Sequence, residues 1–146
     1  MTVSVRILSI LCGILPGLIL VLGGLVLING AVTSFLSYPE VYLNEPHRGL
    51  LLIGTLLLSV AGILGFIGLV SVLIGGKLAN RTRIRYLWLG VFSAAASFML
   101  MFGPAFFSGN GEDNVVTLAL WGSVFLGPIV VGLFHISALK HLEARD

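Results

Sequence analysis

Lys77-Leu78-Ala79-Asn80-Arg81-Thr82-Arg83-Ile84-Arg85 carries four of the eight basic residues in the chain. A long apolar run, Gly49 to Gly75, ends just before it, and another, Tyr86 to about Phe107, begins just after it. A basic stretch between two such runs predicts a short cytoplasmic loop, residues 76–85, joining two membrane-crossing helices, because Lys and Arg in short loops stay on the cytoplasmic side. Lys77, Arg81, Arg83 and Arg85 then set topology and lie at the level of anionic lipid headgroups.

The preceding run, 49–75, holds seventeen Leu, Ile, Val and Phe residues and no charge. At roughly −0.5 kcal/mol per such residue near a helix centre, insertion is favoured by up to about 8 kcal/mol. Gly62, Gly65 and Gly68 recur every three residues and so remain near one face of a helix. In lipid there is no hydrophobic gain on helix association, so a face without Cβ atoms is where close packing is expected. The following run, 86–107, opens with Tyr86 and Trp88 as interfacial anchors and presents Gly90, Ser93, Ala94 and Ser97 as its small-residue face.

Two further runs complete the chain. Residues 7–29 are uncharged, longer than the apolar core of a secretory signal, and lack a small-residue cleavage pattern, so they read as a retained anchor. Gly13 and Gly17 form a G-x-x-x-G pair, and Pro16 predicts a kink near Leu15–Pro16. Residues 115–139 form the last run, with Pro128 as a mid-helix kink and Ser123 and Gly127 as a packing pair. The connections 30–48 and 108–114 read as external loops. The first is interrupted by Pro39 and Pro46, and the second is a Gly/Asn-rich turn with Glu112 and Asp113.

The expectation is therefore one all-α domain over residues 1–146, with four transmembrane helices as two antiparallel hairpins. Composition agrees: 58% of residues are apolar and 10% charged, against roughly 25% charged in soluble domains. Arg6, Lys77, Arg81, Arg83, Arg85, Lys140 and Arg145 fall on one side and Arg48 alone on the other. That asymmetry predicts both termini in the cytoplasm, in a plasma membrane of the bacterial inner-membrane kind. The net charge of +2 reflects orientation and gives no nucleic-acid footprint.

Chemistry has little to work with. The apolar runs contain no Asp, Glu, Lys or Arg, and an intramembrane ionisable group is the usual mark of a relay or ion path. His135 is the one candidate in the last run. It reads as an interfacial residue bonded to a carbonyl or headgroup rather than as a ligand. Cys12, the only cysteine, reads as a small core residue and excludes an intramolecular disulfide. No cofactor or metal site is indicated. These features predict a non-catalytic membrane protein acting through helix contacts. Its partner would be the bilayer together with another membrane protein or a further copy of itself. It would serve as an accessory subunit or as a modulator, immunity-type partners included. A small oligomeric transporter or channel is the alternative, and a membrane-embedded enzyme comes third.

Overall fold

The computed structural model describes the backbone over residues 3–75, 78–107 and 115–143, and side chains within residues 4–75, 78–100 and 122–141. Lys77 and the turn 108–114 with Glu112 and Asp113 lie outside the described residues. All regular structure described is helical: α1 (Val3–Ser9), a π-helical turn (Ile10–Ile14), α2 (Leu15–Ser37), α3 (Pro39–Asn44), α4 (Pro46–Ile74), α5 (Asn80–Phe107) and α6 (Val115–Glu143). Among the described residues, three helical stretches are long and apolar enough to cross a membrane: Ser4–Ser37, Pro46–Ile74 and Gly122–His141.

The first stretch departs from the sequence expectation at both ends. It runs from Ser4 to Ser37 instead of spanning 7–29. Its 34 residues measure about 51 Å at ~1.5 Å per residue, well beyond a ~30 Å hydrocarbon core. In place of a simple kink at Leu15–Pro16, the chain inserts the π-helical turn Ile10–Ile14 just upstream, and Leu15 N–H donates to Ile10 O. Proline has no N–H for the carbonyl one turn back, and a widened turn is one way a helix accommodates that loss.

The segment 30–48 is not an open loop. Helix α2 occupies its first part and α3 and α4 the rest, with breaks only at Tyr38 and Glu45. Pro39 and Pro46 stand at the starts of α3 and α4, where a missing N–H costs nothing, so each proline starts a helix rather than abolishing one. Helix α3 is fastened back by a hydrogen bond between Ser34 and Tyr42 hydroxyls and by the Phe35–Tyr42 ring pair at 5.9 Å. Glu45 accepts from Arg48 at 2.6 Å across the start of α4.

Helix α4 ends at Gly75, whose φ of 73° supplies a left-handed cap and whose N–H reaches Ser71 O. The basic stretch is also shorter as a loop than expected. Helix α5 starts at Asn80, not Tyr86, so Arg81, Arg83 and Arg85 lie on its first turns, with Arg83 N–H donating to Ala79 O at 3.1 Å. Three cations at a helix N-terminus oppose the macrodipole, an effect of less than about 1 kcal/mol each at exposed sites. Helix α6 continues past residue 139 to Glu143 and runs through Pro128.

The helices form a ring of neighbours. The α1–α2 rod packs on α4 and α6, α4 packs on α5, α5 packs on α6, and the diagonal α4–α6 approach is slight. Each neighbouring pair runs in opposite directions. Gly62 meets Ser93 while Gly68 meets Tyr86, and Gly17 meets Phe66 while Gly24 meets Ser59. Among the described residues, Leu69, Leu87, Val91, Val131, Ile136 and Leu139 form a buried cluster with Ile14, Ile84 and Trp88 around them.

Candidate functional site: an apolar chamber at mid-bundle

The closest helix contact is between α4 and α5. A Cβ on Gly65 would collide with Gly90 Cα, and one on Gly68 would lie 2.8 Å from Tyr86 Cβ. Gly62 faces Ser93 Oγ, and that hydroxyl donates to Leu58 O at 2.7 Å across the interface. Backbone thus meets backbone at Gly65 and Gly68, within two turns of α4, and Ser93 adds a polar bond where the helices are near enough to share one.

On the other side of the ring, the α1–α2 rod touches α6 through three levels. Gly127 meets Cys12 O, Gly13 meets Val131 (2.9 Å from a Cβ at Gly13 to Val131 Cγ1), and Ser9 meets His135. The Cys12 carbonyl is the one left without its usual donor by Pro16, and Gly127 brings a Cα–H against it. Such contacts recur at close helix interfaces and contribute about 0.5–1 kcal/mol. The Cys12 side chain itself is exposed, which corrects its reading as a core residue. The π-helical turn rotates the chain so that the carbonyl, not the thiol, addresses α6. Ser123, one turn before Gly127, is exposed.

His135 is also placed differently from the expectation of an interfacial residue bonded to a carbonyl or headgroup. It is 2% exposed, and its Nε2 shares a hydrogen bond of 3.1 Å with Ser9 Oγ, which is also buried. The Phe134 ring lies 5.4 Å away, edge-on. Ser9 was not singled out from sequence. The available signal was that it and His135 are polar residues in separate apolar runs, each near the same end of the bundle. Ser9→Ala leaves a buried imidazole nitrogen without its partner and is expected to destabilise the bundle by about 1–3 kcal/mol. Ser9→Ala combined with His135→Leu should recover much of that loss in a thermal melt in detergent, whereas additive losses would show the two residues to be energetically independent.

The space between α2, α4, α5 and α6 is a chamber of about 450 Å³, walled by residues such as Leu20, Phe66, Leu87, Ala94, Phe125 and Pro128. Gly17, Gly62, Gly65, Ser93 and Ser97 also line it, so the small-residue faces that bring α4 and α5 together also widen the room beside them. Ile19 and Val26 line the chamber yet are 51% and 71% exposed, so it opens sideways along α2. Few polar atoms reach its wall, and the Ser93 proton is already committed to Leu58 O. Water is a poor filler, since it needs two to four polar partners.

Arg81 and Arg85 are exposed and Arg83 is half-buried on the first turns of α5, and none of the three lines the chamber. Among the described residues no group of three or more His, Cys, Asp or Glu gathers as a metal site would. Comparison with protein-family models, with curated proteins and with solved structures returned no match.

Proposed function

We propose that this is a four-span membrane protein, with both termini in the cytoplasm, that works by apolar contact within the bilayer rather than by catalysis. In this reading α5 is the fourth span, α4 and α5 form one hairpin end at the cytoplasm, and residues 108–114 join α5 to α6 outside. The protein serves as an accessory subunit or a modulating partner of another membrane component. One observation carries the proposal. Among the described residues, the α1–α2 rod meets α6 through Ser9, Cys12 and Gly13, and an apolar opening runs beside α2, where Ile19 and Val26 are exposed. Such an arrangement offers shape-complementary hydrocarbon surface and little reactive functionality.

A small oligomeric transporter for an apolar substrate is the second reading, favoured by the chamber itself. Purification in mild detergent with mass spectrometry separates the two. A stoichiometric foreign membrane protein supports the partner reading. A symmetric homo-oligomer that moves an apolar tracer across liposomes supports transport and refutes the first.

Orientation has its own test. In a Cys12→Ser background, cysteines at Ser37 and Asn110 should react with a membrane-impermeant maleimide in intact cells, and one at Asn80 only after lysis. Labelling of the Asn80 position in sealed cells would overturn the topology.

A further inference from the structure

We infer that the mid-bundle chamber is a binding site for an acyl chain of a membrane phospholipid, which enters sideways past α2. This goes beyond the partner reading and depends only on the helices lying in a bilayer. Three observations lead to it.

The first is size. The chamber's 450 Å³ is about three times the roughly 150 Å³ of an apolar cavity that takes up benzene, and it falls within the 300–1,000 Å³ typical of ligand sites. The second is chemistry. The wall is mostly hydrocarbon from four helices; its polar side chains are three serines, Ser59, Ser93 and Ser97, and the Ser93 hydroxyl is spent on Leu58 O. A ligand rich in hydrogen-bonding groups would lose most of them on entry, so the occupant is a predominantly apolar chain. The third is access. The mouth is flanked by exposed Ile19 and Val26 on α2, and α2 belongs to an apolar stretch of 34 residues. What lies against such a stretch in a membrane is lipid hydrocarbon, present at high local concentration. The chamber also sits near the middle of its helices, between the Gly24–Ser59 level and the level of Gly13 and Leu69. That is the depth of acyl chains, not headgroups.

Gly23 fits this role. A Cβ there would meet nothing within 4 Å, and the residue lines the chamber. A side chain at this position would occupy the room the acyl chain takes.

The experiment uses the full chain reconstituted in vesicles of phosphatidylethanolamine and phosphatidylglycerol containing phosphatidylcholine with a diazirine on one acyl chain. After illumination, the adducts are mapped by mass spectrometry. Leu87, Ser93 and Ala94 are all 6% exposed or less, so bulk lipid does not reach them. Adducts on these three are the expected result. Adducts confined to outward residues such as Leu22, Leu57 and Phe92 would overturn the proposal, as would a purified dimer in which the mouth is closed by a second copy. Gly23→Phe should lower the interior adducts at least fivefold while leaving those at Leu57 unchanged. Undiminished interior labelling in a folded Gly23→Phe protein would also count against the site. Because the map is read first on the unaltered chain, failure of the variant to fold does not shield the proposal.

Discussion

Gly65→Leu is expected to abolish the native bundle. Even one added carbon at this position would overlap Gly90 Cα and lie 2.5 Å from Gly90 N. Those are backbone atoms, which cannot swing aside as the end of a side chain does. Helix α5 would have to move away over several residues, and the Ser93–Leu58 bond next to the contact would open with it. Overpacking in a close-packed interior typically costs about 1–3 kcal/mol. Gly65→Ala should therefore already lower the melting temperature in detergent by several degrees, and Gly65→Leu should leave no cooperative transition. Leu57→Ile on the same helix is the control. Leu57 is 66% exposed, and the exchange keeps apolar character, so its melt should match the parent. A Gly65→Leu protein that melts like the parent would mean that α4 and α5 do not meet along this face.

Gly127→Val is expected to have the next largest effect, and a different one. A Cβ at Gly127 would run into Cys12 O and would lie 3.7 Å from Pro16 Cγ. The clash lies where the π-helical turn meets α6, beside the Ser9–His135 bond. The α4–α5 interface is untouched, so the variant should insert and keep a folded remainder while the rod detaches. A cysteine pair replacing Ser9 and His135 in a Cys12→Ser background should cross-link readily in the parent and fall at least tenfold with Gly127→Val. Gly30→Val on α2, where a Cβ would meet nothing within 4 Å, should leave cross-linking unchanged. Equal cross-linking in the Gly127 variant would show that this contact does not hold the rod.

Much of the architecture follows from local properties of the chain. Runs without charge predict long helices, since a chain in lipid must satisfy every backbone group within its own segment. Three such stretches are present, at Ser4–Ser37, Pro46–Ile74 and Gly122–His141. The boundaries were less legible. Pro39 and Pro46 were visible as breaks, but proline at a first helical position is equally a start, and that choice depends on whether the segment has something to pack on. Tyr42 packs on Phe35 and Ser34, and the result is α3 rather than a loop. The basic stretch announced a turn, but its arginines were absorbed into α5 once Tyr86 and Leu87 had been placed against Gly68.

The helical class, the apolar stretches and the charge asymmetry are thus properties of the chain read residue by residue. Hydropathy did not determine which way any helix faces. A soluble helix advertises its buried side by an apolar stripe, but a helix bathed in lipid is apolar all round, so the inward side carries no such mark. Glycine spacing narrows the choice without naming the partner. Gly62, Gly65 and Gly68 could be counted from sequence, but that they rest on Ser93, Gly90 and Tyr86 depends on residues brought to the same height from a separate helix. The Ser9–His135 bond joins positions 126 apart, and the meeting of Gly127 with the Cys12 carbonyl depends on a π-helical turn. The chamber is further removed from sequence, because it is the space left between α2, α4, α5 and α6. Its shape depends on how four rods lean on one another, and only the tertiary packing decides that.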